Sequence, residues 1–443
     1  MVKAKKLEEM LMAFRLEPLK ENELADFYHD KTMTIRTGDQ WTSPLDELFE
    51  ACTVPSASNA HLLMGHTGCG KSTELNNLKV KFRENGHPVC MVDTLIETNP
   101  FQLGYWDILL LITEGLIKIA DDIGADIPEA AVDGISDILL REIKVEETSF
   151  SSVGADINAG AEAKTPSIVS GLLKLFVSLK GSLKLGTDIR TTVKETMQKR
   201  ASEWLMYTKE ISARITAAAG EKQPILIFEN LDKIPQPETI FDILGFSVLA
   251  QMPFPVIYTF PIDQYYAPRI GTLGVYNKHL LPMIKVSNLD KTESTEGITV
   301  MREIVGLRAE LELFDEAVLD LLIKKTGGSL RHLFACIISA ARRATRRSEV
   351  HPEVVKIEEE DALRALAELS KELTRQITRP KYGILIDIIN NPESKENIDD
   401  LDFLLKMMQA SVVLEYENGT RWNDVHPLIA DFLAKHAPGE NHG

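Results

Sequence analysis

One nine-residue stretch limits what this chain can fold into. Residues 65–73 read Gly-His-Thr-Gly-Cys-Gly-Lys-Ser-Thr and contain the full pattern G-x-x-x-x-G-K-[ST]. Three glycines in six positions let a backbone wrap closely round an anion with its N–H groups turned inward. The apolar run Ala60 to Met64 precedes it and a helical stretch to about Asn85 follows. Strand, glycine loop, helix is the context in which the pattern carries a mechanism. The spacing therefore predicts that Gly65, His66, Thr67, Gly68, Cys69, Gly70, Lys71, Ser72 and Thr73 cradle the phosphates of ATP. Lys71 neutralises the β- and γ-phosphates, Ser72 ligates Mg²⁺, and Thr73 supports the α-phosphate. The helix start adds its positive end.

Further apolar runs extend this opening into a parallel α/β domain. They are 88–93 (PVCMVD), 225–228 (ILIF), 255–260 (PVIYTF) and 282–287 (PMIKVS). Ser43-Pro44 reads as a helix start leading into 45–51. Residues 101–145 read as mainly helical. Residues 146–171 are rich in Ser, Gly and Ala without a period, and read as a loop or an inserted hairpin. In the helical stretch that follows, Ile189, Val193, Met197, Trp204, Leu205, Ile211 and Ile215 fall largely on one face. After residue 290 the pattern is helical, with a break at Thr326-Gly327-Gly328-Ser329. A β-hairpin is expected from 412–416 and 421–425 across Asn418-Gly419, and Pro427 opens a last helix.

The run ILIF ends in Glu229-Asn230-Leu231-Asp232. Four apolar residues and then an acid place Glu229 on the Mg²⁺ side of a bound nucleotide. Asn230 stands where a water-polarising carboxylate is usual; it can orient a water but cannot take its proton. Asp232 either substitutes for that base or caps the next helix. Thr259 either reaches the γ-phosphate from its strand tip or is a buried hydroxyl satisfied by backbone. Arg331, in the first turn after the glycine break, reaches the γ-phosphate or lies at the surface. Arg269 acts in trans on a neighbouring subunit or is an ordinary loop arginine. Arg342, Arg343, Arg346 and Arg347 make one basic face, for a phosphate backbone, an acidic partner or solvent. His426 in DVHP reads as a helix-entry cap rather than a metal ligand.

Together GHTGCGKST, ILIFENLDK, Thr259 and GGSLR resemble the AAA+ superfamily, in the branch shared by origin-recognition-type and STAND-type ATPases. The resemblance covers about residues 40–370. It implies a P-loop NTPase core with strand order 5-1-4-3-2, a helical lid and a C-terminal winged-helix-like unit. The expected division is a lead-in over 1–40, a core over 41–290 with an insertion at about 146–219, a lid over 291–370 and a winged unit over 371–443. By resemblance Glu229 is the Walker B acid, Thr259 sensor 1, Arg331 sensor 2 and Arg269 a possible arginine finger. ENLD in place of the usual paired acids puts the hydrolytic base in question.

The formal net charge of -17 makes nonspecific coating of nucleic acid an unfavourable role. The expected winged unit is acidic too, with Glu393, Glu396, Asp399, Asp400, Asp402, Glu415 and Glu417 against Arg421. An ATP-driven switch acting on a protein effector, as a homo-oligomer, is the expected role; a DNA-binding initiator or transposition regulator is the alternative. Bacterial defence or mobile-element loci are the setting that resemblance suggests. Cys52, Cys69, Cys90 and Cys336 form no CxxC pair, which fits a reducing cytoplasm. The N-terminus lacks the uninterrupted apolar core of a signal peptide. The most apolar stretch, 106–120, is interrupted by Glu114 and Lys118, so no membrane span is expected.

Overall fold

Strand β1 (Ala60–Met64) is buried along its whole length, as expected for a strand covered on both faces. A computed structural model describes residues 1–38, 43–54, 58–142, 166–185, 187–351, 355–393 and 400–436. In it β1 lies in a five-stranded sheet with β2 (Val89–Asp93), β3 (Ile225–Glu229), β4 (Val256–Phe260) and β5 (Asn277–Leu280). The order is β2-β3-β4-β1-β5. The β2–β3, β3–β4 and β4–β1 pairs are parallel, with Asp93 beside Glu229 and Leu63 beside Thr259. Four strands thus end at one edge of the sheet.

The fifth strand corrects the sequence reading. Residues 277–280 form it, and the apolar run 282–287 does not. That run is buried up to Val286, but it lies outside the sheet; the Met283 N–H donates to Glu415 O at 3.1 Å. Burial without a sheet partner mimics a strand in sequence. The true edge strand carries Asn277 and Lys278, as edges often do.

The chain forms two compact units. The first comprises Asp46–Met64 and Leu78–His279. Helix α1 (Lys71–Glu84) runs into it, and Phe82 stacks on Phe49 with ring centres 5.1 Å apart. Helix α2 (Tyr105–Ile123) crosses β3 at Gly115, where a Cβ would come within 2.9 Å of Leu226. Helices α3 (Pro166–Leu185) and α4 (Thr187–Ala218) belong to the expected insertion; the hairpin suggested for residues 151–163 lies outside the described residues. Val193, Met197, Trp204, Leu205, Ile211 and Ile215 are buried along one face of α4. The buried Trp204 indole donates to Thr113 at 2.8 Å, which satisfies its one polar atom. Lys180 bridges Glu97 and Glu114, and Arg190 meets Asp107 at 2.9 Å.

The second unit comprises Met1–Leu45, Gly65–Asn77 and Leu280–Gly443. Its longer helices are α5 (Thr295–Arg308), α6 (Glu316–Lys325), α7 (Leu330–Val350), α8 (Glu359–Thr374), α9 (Tyr382–Asn390), α10 (Leu401–Gln409) and α11 (Pro427–His436). Ser294, Ser329 and Asp400 cap α5, α7 and α10 with side-chain oxygens. The expected hairpin forms as β6 (Val413–Asn418) and β7 (Thr420–Val425), turning at Gly419 with φ +75°. The N-terminal segment is folded into this unit. Ala4 bridges Ala309, and the buried Arg308 donates to Ala13 O at 3.2 Å. Among the described residues, no helix is long and apolar enough to cross a membrane.

Candidate phosphate-binding site

Residues 65–70 leave the end of β1 as an irregular loop, and α1 begins at Lys71. Gly68 and Gly70 have φ of +85° and +105°, which side chains with a Cβ rarely adopt. Gly68 also needs its missing side chain for space. A Cβ there would lie 2.5 Å from Cβ of Arg331 and 3.1 Å from the Ser329 hydroxyl. Lys71 is buried, and its ammonium donates to Gly65 O and, at 3.1 Å, to His66 O. Ser72 follows in the first turn of α1, half-buried. The Thr73 hydroxyl accepts the Leu19 N–H at 3.2 Å, which leaves its own proton to donate. Thr67 is exposed and Cys69 buried.

The glycine break ends α6 and starts α7 beside this loop. Gly327 and Gly328 both have positive φ, and a Cβ on Gly328 would strike the backbone of Ile284 at 1.8 Å. The turn presents the Arg331 N–H to Gly68 O at 3.4 Å. Nε of Arg331 is buried without a hydrogen-bond partner. An arginine whose Cβ and N–H lie against the glycine loop that also holds Lys71, and whose Nε donor is unsatisfied, suits a bound anion. Within this unit the residues therefore fit the phosphates of a nucleotide.

His66 is fully buried inside the loop. Its Nε2 accepts the Glu415 N–H at 2.9 Å, so the proton sits on Nδ1 and faces Met408 O at 3.3 Å. Burial, and then the Lys71 charge, hold its pKa down at about 3. His426 takes the Leu428 N–H on Nδ1 at 3.3 Å, capping the start of α11 as the sequence suggested. Its Nε2–H then donates to Nδ1 of His332 at 3.1 Å. Asp424, its neighbour in DVHP, pairs with Lys291.

The acidic run sits in the other unit. Glu229 ends β3 half-buried. Asn230 is left-handed, with φ 67° and ψ 9°, a conformation that asparagine tolerates better than most residues. Its Oδ1 accepts from Lys233 at 2.5 Å. Asp232 lies inside the short turn Leu231–Lys233, whose N-cap position is Asn230, so it does not cap that turn. The buried Thr259 hydroxyl accepts the Leu231 N–H at 2.9 Å and donates to Phe228 O at 3.2 Å, tying β4 to the turn after β3. Arg269 is half exposed, pairs with Asp242 at 2.5 Å and lies over the Phe241 ring.

A glycine loop leaving β1, in a sheet ordered 5-1-4-3-2 from the β5 edge, completes the expected arrangement. This is a P-loop NTPase fold. Among solved structures, this chain is similar to the Aeropyrum pernix Orc1 protein in complex with DNA. The identity is 14%, covering 89% of this chain and 91% of that one, with a TM-score of 0.35. It is also similar to a Walker-type ATPase of Pyrococcus abyssi, at 14% identity over 96% of this chain and 100% of that one, with a TM-score of 0.42. No family model and no curated protein matches the chain.

Three residues that brace the glycine loop and the start of α1 were not legible as such: Arg36, which donates to Cys69 O, Glu74, which accepts from the Tyr28 hydroxyl, and Glu415, whose N–H donates to His66. Each is buried, but none belongs to a motif. The four-arginine face is partly neutralised. Arg347 meets Glu358 and Asp361, both at 2.6 Å, and Arg343 reaches Glu368, whereas Arg342 and Arg346 are exposed.

Proposed function

We propose that the chain is an ATP-binding and ATP-hydrolysing switch. The carrying observation is the loop Gly65–Ser72 with Arg331 seated on Gly68 and its Nε lacking a partner. In this reading Lys71 and the loop N–H groups hold the phosphates, and Arg331 responds to the γ-phosphate. Ser72 supplies a hydroxyl to Mg²⁺, and Glu229 the carboxylate of the Walker B strand. Bound metal would supply charge neutralisation at the phosphates. Asp232 is assigned as the base that activates water, since Asn230 cannot accept a proton. Arg269 remains the candidate to act in trans within a homo-oligomer.

The output is assigned to a protein partner, with the C-terminal hairpin unit reporting the state of the phosphate loop. His66 bonds the Glu415 N–H, and the Tyr416 hydroxyl bonds Gly327 O at 2.8 Å, so the hairpin touches both the loop and the lid turn. Its tip is also engaged: the Gly419 N–H points at Thr37 O at 3.4 Å, and Lys285 donates to Asn418 at 3.3 Å. An acidic hairpin held in this way is poorly placed to grip a duplex. The test is Mg²⁺-dependent ATP turnover with and without duplex DNA, beside Lys71→Ala. Turnover lost in Lys71→Ala and indifferent to DNA supports the proposal. Turnover that requires DNA replaces the protein partner with DNA. Equal release of phosphate by both proteins overturns the site.

A further inference from the structure

We infer that Arg36 is a positioning residue of the phosphate loop, acting from the N-terminal segment on the peptide that joins Cys69 to Gly70. The inference rests on the nucleotide-binding reading above. Arg36 lies near the end of the short helix Thr32–Thr37, and its side chain is 0% exposed. One guanidinium nitrogen donates to Cys69 O at 2.5 Å, and another donates to Pro282 O.

A trans peptide is planar, and its C=O and N–H point in opposite directions. Anchoring the Cys69 oxygen on Arg36 therefore aims the Gly70 N–H away from Arg36. Loops of this kind bind phosphate through backbone N–H groups, so the direction of that N–H is functional. The peptide needs an outside hold, because Gly70 sits at φ +105° with no side chain to restrict it. A planar fork reaching two carbonyls is a geometry that lysine cannot reproduce.

The rest of the segment grips the same stretch. The Leu19 N–H meets Thr73, and the Asn76 amide donates to Leu19 O at 2.9 Å. Tyr28 and Thr32 donate to the two oxygens of Glu74, at 2.8 and 3.4 Å. Glu74 is buried in the first turn of α1, where burial pushes its pKa up and the nearby Arg36 charge pulls it back. A buried guanidinium at this point costs desolvation, which a purely apolar contact would avoid. The segment read from sequence as a lead-in is thus part of the site.

The experiment uses the full chain labelled with ¹⁵N-glycine and titrated with ADP, with affinity measured by calorimetry. The variants are Arg36→Lys, the pair Arg36→Met with Glu74→Gln, and Lys71→Ala. In the wild type, ADP shifts the Gly70 amide proton downfield. Arg36→Lys weakens ADP binding by about tenfold or more and abolishes that shift, while its melting temperature without nucleotide stays near wild type. Should Arg36→Lys not fold, the paired variant removes the guanidinium and the carboxyl together and carries the same readouts. ADP affinity and a Gly70 shift equal to wild type, in either folded variant, overturn the inference. ADP binding that Lys71→Ala leaves unchanged, or no binding by wild type, brings down the nucleotide-binding reading and this inference with it.

Discussion

Nε2 of His66, inside the phosphate loop, accepts the backbone N–H of Glu415 on the C-terminal hairpin. Only a neutral imidazole can do this, and burial keeps it neutral down to about pH 3. An unfolded histidine takes up its proton near pH 6.5. Unfolding therefore binds a proton between about pH 6.5 and 3. The stabilising contribution of His66 is complete above that window and is lost as the pH falls through it. His61, His279 and His332, each held down to about 4 chiefly by burial, add in the same direction. Urea unfolding at pH 7 and pH 5 should show a marked loss at pH 5. His66→Asn should lower the pH dependence by about one proton, whatever it does to absolute stability. An unchanged slope would rule out a neutral buried His66.

Gly68→Ala places a methyl group 2.5 Å from Cβ of Arg331, at a φ that alanine resists. The strain should cost about 1–3 kcal/mol if the loop holds its shape. If the loop moves instead, nucleotide affinity should fall by about a hundredfold with little change in melting temperature. Thermal melts with and without ADP separate the two outcomes, and a variant matching wild type in both would contradict the tight approach.

Arg331→Ala removes the guanidinium whose Nε lacks a partner. The account expects ATP affinity to fall about tenfold more than ADP affinity, since this residue is assigned to the γ-phosphate. Equal loss for both nucleotides would move Arg331 to the shared phosphates.

Asp232 and Asn230 can be separated by two isosteric changes. Asp232→Asn should slow turnover by about a hundredfold or more with ATP binding retained. Asn230→Asp keeps a residue that tolerates the left-handed region, so the fold should survive. Turnover unaffected by Asp232→Asn would remove it as the base.

The glycine loop and the four parallel strands were legible because both are written in local chemistry, whereas the order of the strands came from the resemblance alone. Backbone conformation demands glycine at 68 and 70, and central parallel strands demand unbroken apolar runs. The fifth strand was misplaced because 282–287 is as apolar as a strand, yet its backbone pairs with the hairpin through Met283 and Glu415. Asp232 and Thr259 each had two readings that spacing could not separate. The structure shows Asp232 inside a turn that Asn230 heads, and the Thr259 hydroxyl bonded to backbone. Arg36 left no periodic trace at all. Its partners are carbonyl oxygens far along the chain, and a carbonyl has no sequence signature.

The most direct test of the central claim is equilibrium binding of ATP by the purified chain, measured by calorimetry beside Lys71→Ala. The account predicts one ATP per chain for wild type and a loss of at least about a hundredfold in affinity for the variant. Wild type that binds no ATP, or binds it equally well without the Lys71 ammonium, would contradict the assignment of Gly65–Ser72 as the phosphate site.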